Sequence, residues 1–299
     1  MRPPVPPSGP SFEHPADIIA CVGGSLLAVF AHPDDETFGA GGALARAARQ
    51  GVHVALVCAT RGEVGEIADP EIATPETLGE VRERELRCAA ARLGAAEVSF
   101  LGYRDSGMAG TPENDDPRAF ARAGEAEVVR ALVGHVRRLR PEVVLTFDAN
   151  GGYGHPDHMA IHRHTMAAVA VAADPSAHPS LGPPWTVRRV FYPVIPRARF
   201  RELRERLAAG GVDAAFLADA ERMLERLPDE RVDVTLDVRG SVEAKLAALA
   251  CHATQMPADH PFRALPEDLA REAMATEFFA IGLPEGLRAA PPADLFDGI

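Results

Sequence analysis

The chain has 299 residues, with 43 acidic against 31 basic side chains and a formal net charge of −12. That length buries a substantial core and permits one large domain or two. The acidity argues against a nucleic-acid or anionic-membrane surface, which needs clustered Lys and Arg to neutralise phosphate, and leaves a neutral or weakly charged small molecule as the natural partner.

In chain order, residues 1–24 open on a proline-rich stretch without the basic start and apolar core of a signal peptide, so they are expected to form a disordered tail. No apolar run reaches the roughly 18 residues that a membrane helix needs; neither membrane nor nucleic acid is an expected partner. Cys21, Cys58, Cys88 and Cys251 are scattered and form no CxxC pair. They read as buried free thiols in a reducing cytoplasm rather than a disulfide frame.

From residue 25 strands and helices alternate. Strands are expected at 25–30, 52–58, 97–101, 142–147 and 191–195, and helices at 40–50, 77–93, 119–139 and 157–172. This order predicts an α/β fold with a doubly wound, mainly parallel Rossmann-like sheet, and a catalytic domain over residues 25–200. After residue 200 the alternation changes. A helical stretch, a strand at 231–238, a helix at 242–252 and a final helical region predict a smaller C-terminal α+β layer, residues 201–299, closing the pocket. The loops 104–117 and 173–184 are long and rich in Gly, Pro and polar residues, which makes them candidate pocket walls.

Two segments carry the chemistry, each placed directly after a strand, where an open parallel sheet binds its ligands. In the first, an apolar strand gives way to Ala31-His32-Pro33-Asp34-Asp35-Glu36. A catalytic zinc takes three ligands from His and carboxylates and keeps a position open. His32 and Asp35, across one strand-to-helix turn, are placed to grip an ion from one side, and His158 completes the set. Asp34 is then free to take a proton from water. The second segment is Gly151-Gly152-Tyr153-Gly154-His155-Pro156-Asp157-His158. Tyr153 and His155 are candidates to stabilise an oxyanion, His155 also to protonate a leaving amine, with Asp157 orienting its ring. His162 lies one turn beyond His158 but lacks the zincin glutamate; it reads as a helix-face residue near the pocket, with His164 pointing away.

Together these segments resemble the LmbE/PIG-L-like metal-dependent N-deacetylases, which remove acetyl groups from N-acetylglucosamine units. The resemblance covers most of residues 25–195 and touches the C-terminal part at 245–255. The stretches 104–111 and 184–187 are most similar to the mycothiol-pathway deacetylases of that family. The resemblance implies a hydrolase acting on a small amino-sugar conjugate of the N-acetylglucosaminyl-inositol type, with Zn²⁺ as cofactor and Fe²⁺ acceptable to the same donors. It places metal ligands on His32, Asp35 and His158, the general base on Asp34, and the oxyanion-side groups on Tyr153 and His155, supported by Asp157. Sugar-hydroxyl contacts fall on Arg82 and Asp105, and Glu66 falls where the aglycone lies. The plainer readings stand beside these: Arg82 paired with a neighbouring glutamate on a solvated helix face, Asp105 and Glu66 as ordinary loop acids.

Alternatives in the same chemistry are an amidase of thiol conjugates and a deacetylase of malate or oligosaccharide conjugates. The related amidases place a lysine shortly after the acidic pair, where this chain has Thr37-Phe38-Gly39. Outside that chemistry stand a non-catalytic sugar- or metal-binding module and a dinucleotide-binding protein. Gly39-Ala40-Gly41-Gly42 superficially suggests the latter, but GxGxxG from Gly39 needs a glycine where Leu44 stands, and the acidic turn would repel a pyrophosphate.

Overall fold

The computed structural model describes residues 23–209, 218, 221, 225, 231–256 and 266–299. Of the expected N-terminal tail only Gly23 and Gly24 fall within the described residues, and Cys21 lies outside them. The strands are β1 (Ser25–Phe30), β2 (His53–Thr60), β3 (Glu97–Tyr103), β4 (Val143–Leu145), β5 (Arg189–Val194), β6 (Val234–Asp237) and β7 (Thr276–Leu283). The helices are α1 (Asp35–Arg49), α2 (Leu78–Leu93), α3 (Glu125–Leu139), the single turn α4 (Gly151–Gly154), α5 (Pro156–Ala172), α6 (Arg197–Ala209), α7 (Val242–Leu249) and α8 (Glu267–Met274).

Among the described residues there is one seven-stranded sheet, in the order β3-β2-β1-β4-β5-β7-β6. β1 to β5 run parallel, whereas β7 is antiparallel to both β5 and β6. The central strands are apolar on both faces because helices cover both. Leu26, Ala28 and Phe30 of β1 pack with α1, α2 and α7, while Leu27 and Val29 pack with α3 and α5. Chain order reverses at β1, with β2 on one side and β4 on the other. That reversal opens a crevice at the carboxyl ends of β1 and β4, which is where the two chemistry-bearing segments emerge.

The C-terminal segment extends this same sheet. Its anchor is Glu277 of β7, which accepts the main-chain N–H groups of Gly42 and Ala43 in α1 at 2.7 Å each and pairs with Lys245 Nζ at 2.7 Å, all buried. The glycine run of α1 serves this packing. A Cβ on Gly42 would lie 2.6 Å from Val238 Cγ2.

Four expectations need correction. Residues 276–283, within the expected final helical region, form β7; an apolar run of that length does not declare its period, and the free edge of β5 decides it. The helix expected from 119 starts at Glu125, after an irregular segment that carries a bridge from Ala119 to Arg104. The 173–184 loop is not a pocket wall. It wraps Arg137, whose buried guanidinium donates to the carbonyls of Ala172, His178 and Asp174 at the far end of α5, about 24 Å along that helix from Pro156. Finally, Cys88 of α2 and Cys251, just past α7, are joined in a disulfide, their Cα atoms 5.8 Å apart. Packing of α7 on α2 brings together thiols that lie 163 residues apart in sequence. Cys58 is buried and free, as expected. No helix among the described residues is long and apolar enough to cross a membrane.

Two buried histidines, His135 of α3 and His164 of α5, set an acid limit on stability. Burial, with Arg138 beside His135 and Arg163 beside His164, pushes each imidazole down to about 4. Both ring nitrogens of His164 are buried without a hydrogen-bond partner. As pH falls from 6.5 towards 4 the unfolded chain therefore takes up protons that the folded chain refuses, and stability is lost. For His164 this amounts to about 2 kcal/mol at pH 5. His164→Leu is expected to lose less stability than wild type between pH 7 and 5 in denaturant titrations; identical pH slopes would contradict this assignment.

Candidate metal centre

The centre is built by the turn after β1 and by the segment that follows β4. The turn folds back on itself: Asp35 Oδ2 accepts the N–H groups of Ala31 at 3.1 Å and His32 at 2.7 Å. That contact fixes the Asp35 carboxylate at the first position of α1. Asp34, immediately before it, takes a left-handed backbone conformation, φ 115°. On the other side, Gly151 has φ +63° and lies so close to α5 that a Cβ there would stand 2.7 Å from His158 Cβ. Its carbonyl meets His158 Nδ1 at 3.1 Å, while Phe147 stacks on the His158 ring at 3.8 Å between centroids.

These constraints aim three donors at one point. His32 Nδ1 and His158 Nε2 are 3.2 Å apart, His158 Nε2 is 3.4 Å from Asp35 Oδ1, and His32 Nδ1 is 3.7 Å from Asp35 Oδ2. Ligands at 2.0–2.1 Å from one tetrahedral ion stand about 3.3–3.4 Å from each other. The tautomers agree. His158 Nδ1 faces a carbonyl, and His32 Nε2 faces Asp157 Oδ2 at 3.2 Å and Asp105 Oδ1 at 3.4 Å. With an ion between them, each ring would keep its proton on the outer nitrogen and turn a lone pair inward. Two facing lone pairs beside a carboxylate fit a divalent cation. Charge points the same way: against the opposing effect of burial, Asp105, Asp157 and Asp35 pull His32 well above the ordinary imidazole value.

Donor atoms of His155 also fall within 4.8 Å of those of His32 and His158. Its Nδ1 is occupied, accepting the N–H of Asp157 at 3.2 Å. Burial, with His32 and His158 nearby, pushes His155 down to about 4, which leaves a neutral ring with an Nε2–H to donate. Tyr153 stands edge-on to His158 at 5.2 Å. Burial, followed by Asp35 and Asp34, raises its phenol well above the ordinary value. The carboxylate of Asp157 corrects an expectation. It is turned to His32, not to His155, and is held by the N–H of Ser106 at 2.9 Å and by the Ser106 hydroxyl. Only its main chain orients His155.

Asp34 sits beside this triangle. Burial, with Asp35 and Glu36 nearby and Arg82 and His252 opposing, pushes its carboxyl up to about 6. Arg82 is buried and does not lie on a solvated face; Nη2 donates to Asp34 Oδ2 at 3.2 Å and to the Pro33 carbonyl at 2.7 Å, and Nη1 to the Gly62 carbonyl at 2.9 Å. Asp105 is equally unlike a loop acid, at 3 % exposure beside His32. Glu66 is exposed, its carbonyl accepting from Gln255 Nε2 at 2.7 Å. His162 lies outside the cluster, with Nδ1 2.8 Å from the Phe147 carbonyl, and His164 packs against Phe120.

Sequence reasoning missed four participants. Ser106 fixes Asp157, and Asn114 braces the Ser106 and Gly107 carbonyls at 2.6 and 3.1 Å. Glu36, in the quoted motif but without a role, pairs with the distant His252 at 2.8 Å. The acid-rich turn hinted at Glu36; nothing in linear spacing signals its partner.

The family described as PIG-L, GlcNAc-PI de-N-acetylase, matches residues 27–169. A protein of Geodermatophilus obscurus named 1D-myo-inositol 2-acetamido-2-deoxy-alpha-D-glucopyranoside deacetylase is 44% identical over 286 residues, covering 92% of this chain and 97% of the relative. An N,N'-diacetylchitobiose deacetylase from Pyrococcus horikoshii shares the fold with TM-score 0.61 at 21% identity, over 86% of this chain and 83% of that one. So does a 4-carboxy-2-hydroxymuconate hydratase from Pseudomonas putida, at TM-score 0.59 and 21% identity, over 87% and 97%. The fold alone thus accommodates more than one chemistry. It is the full-length sequence match, with the motifs it spans, that decides kinship: the chain belongs to the PIG-L, GlcNAc-PI de-N-acetylase family.

Proposed function

We propose that this protein is a metal-dependent N-deacetylase that hydrolyses the acetamide of an N-acetylglucosaminyl-inositol conjugate, releasing acetate and a free amine. The observation that carries the reading is the triangle of His32 Nδ1, Asp35 and His158 Nε2, with a carboxylate beside it that none of the three contacts requires. The activity named for the 44% identical relative supports the substrate class.

His32, Asp35 and His158 would hold the ion, Zn²⁺ in our reading, with Fe²⁺ suited to the same donors. Bound there, a divalent ion supplies Lewis acidity to the amide carbonyl and makes water easier to deprotonate. Asp34 takes the proton of the attacking water; its raised carboxyl is a stronger base than an ordinary aspartate, and Arg82 fixes the Oδ2 atom. His155 offers its Nε2–H to the oxyanion, and the phenol of Tyr153 stays protonated to do the same. The proton then passes from Asp34 to the departing amine as the C–N bond breaks, while the neutral ring of His155, first a candidate for that step, keeps its Nε2–H on the oxyanion. Asp157 keeps His32 in the tautomer that turns Nδ1 inward. Arg82 and Asp105 take sugar hydroxyls, and Glu66 faces the aglycone. Residues 25–200 carry these groups and the C-terminal segment closes the pocket, a reading supported by the bonds from His252 to Glu36 and from Gln255 to Glu66.

Three variants test the assignment by metal analysis and amine release. Asp34→Asn is expected to keep full metal content and lose roughly 10²–10⁴ in kcat; near wild-type turnover with metal bound would contradict Asp34 as the base. His158→Ala is expected to lose metal and activity together. Gly151→Ala, whose methyl meets His158, should weaken metal affinity while leaving secondary structure unchanged.

A further inference from the structure

His252 comes from the C-terminal segment, 216 residues from the side chain it meets. It is fully buried, and its Nε2 stands 2.8 Å from Glu36 Oε1. The other carboxylate oxygen, Glu36 Oε2, accepts the main-chain N–H of Asp34 at 2.9 Å. Asp34 has φ 115° and ψ −29°, a region that is strained for a non-glycine residue and persists only when its surroundings enforce it. Residues 250–256 are tied down independently of that pair. The disulfide joins Cys251 to Cys88, the N–H and hydroxyl of Thr254 donate to Glu85 at 2.8 and 2.6 Å, and the N–H of Ala68 donates to the Thr254 carbonyl at 3.1 Å. His252 is thus delivered to Glu36 by a fixed support, and Glu36 reaches the one strained residue of the turn.

We propose that His252 is a positioning residue: by holding Glu36 it keeps Asp34 in the left-handed conformation that presents its carboxylate to the reacting water. The inference rests on the deacetylase reading for what Asp34 does, but not for how Asp34 is held. Without the imidazole, Glu36 Oε1 keeps only the hydroxyl of Thr37, on the same turn of α1, and loses its tie to the fixed C-terminal support; the carboxylate then shifts, the N–H of Asp34 loses its acceptor, and the backbone relaxes away from positive φ. His32, Asp35 and His158 keep their own supports, so the metal-binding donors stay in place.

The test compares wild type with His252→Ala and His252→Gln, whose amide nitrogen restores a donor to Glu36. Metal content and KM are expected to stay near wild type in both. kcat is expected to fall roughly 10- to 100-fold in His252→Ala and to recover most of that loss in His252→Gln. A second readout needs no substrate. Hydrogen exchange in the metal-free protein, followed in peptides spanning residues 31–38, should be slow in wild type, faster in His252→Ala and slow again in His252→Gln. If His252→Ala does not fold, His252→Asn, too short to reach Glu36, takes its place. A wild type that exchanges as expected but releases no amine would overturn the deacetylase reading and leave this one standing. Unchanged exchange, or unchanged kcat in an active enzyme, would overturn the role of His252.

Discussion

Two imidazole lone pairs and a carboxylate converge within 3.7 Å of one another at the crevice between β1 and β4. Against the effect of burial, His158 and His32 hold the Asp35 carboxylate well below the usual carboxylate range, and Asp105, Asp157 and Asp35 favour positive charge at His32, so the cluster is built to keep a cation at its centre. Much of the surrounding structure exists to hold those donors in place. The strand reversal at β1 brings the two segments side by side. Main-chain groups of Ala31, His32 and Gly151 fix Asp35 and His158, and Asp157 fixes His32. Ser106 and Asn114 in turn hold Asp157 and its loop, so each donor rests on a partner that is itself restrained.

The same logic explains why the site stores strain. Asp34 adjoins the triangle of His32, Asp35 and His158, and the next residue begins α1 with its carboxylate turned back onto the main chain. Between them Asp34 takes a positive φ. Arg82 restrains its carboxylate from α2, and Glu36 restrains its N–H from α1. The C-terminal segment matters here although the triangle of His32, Asp35 and His158 lies outside it. Through Glu277, which Lys245 braces, and through His252 and Thr254 it grips α1 and α2, the two helices that frame the turn.

The sequence made the centre legible because its chemistry is local. His32, Asp34 and Asp35 lie in one turn, and His155, Asp157 and His158 in another; residues so seldom clustered after apolar strands declare a site. The alternation up to residue 200 was legible for a related reason, since strands buried on both faces read as continuous apolar runs. What escaped depends on tertiary contact. Whether the Asp157 carboxylate serves His155 or His32 is decided by where the 104–117 loop lands. The Cys88–Cys251 pairing and the Glu36–His252 pair arise from how α7 packs against α1 and α2. The strand β7 carries no period that separates it from a buried helix, and only the unpaired edge of β5 selects it.

The most direct test of the whole account is to measure metal content and amine release on one purified sample, using N-acetylglucosaminyl-inositol beside malate and oligosaccharide conjugates. About one equivalent of zinc or iron, with acetate and free amine released in equal amounts from the inositol conjugate, is the predicted result. Protein that binds no divalent metal after reconstitution, or that turns over at an undiminished rate when stripped of metal, would contradict it.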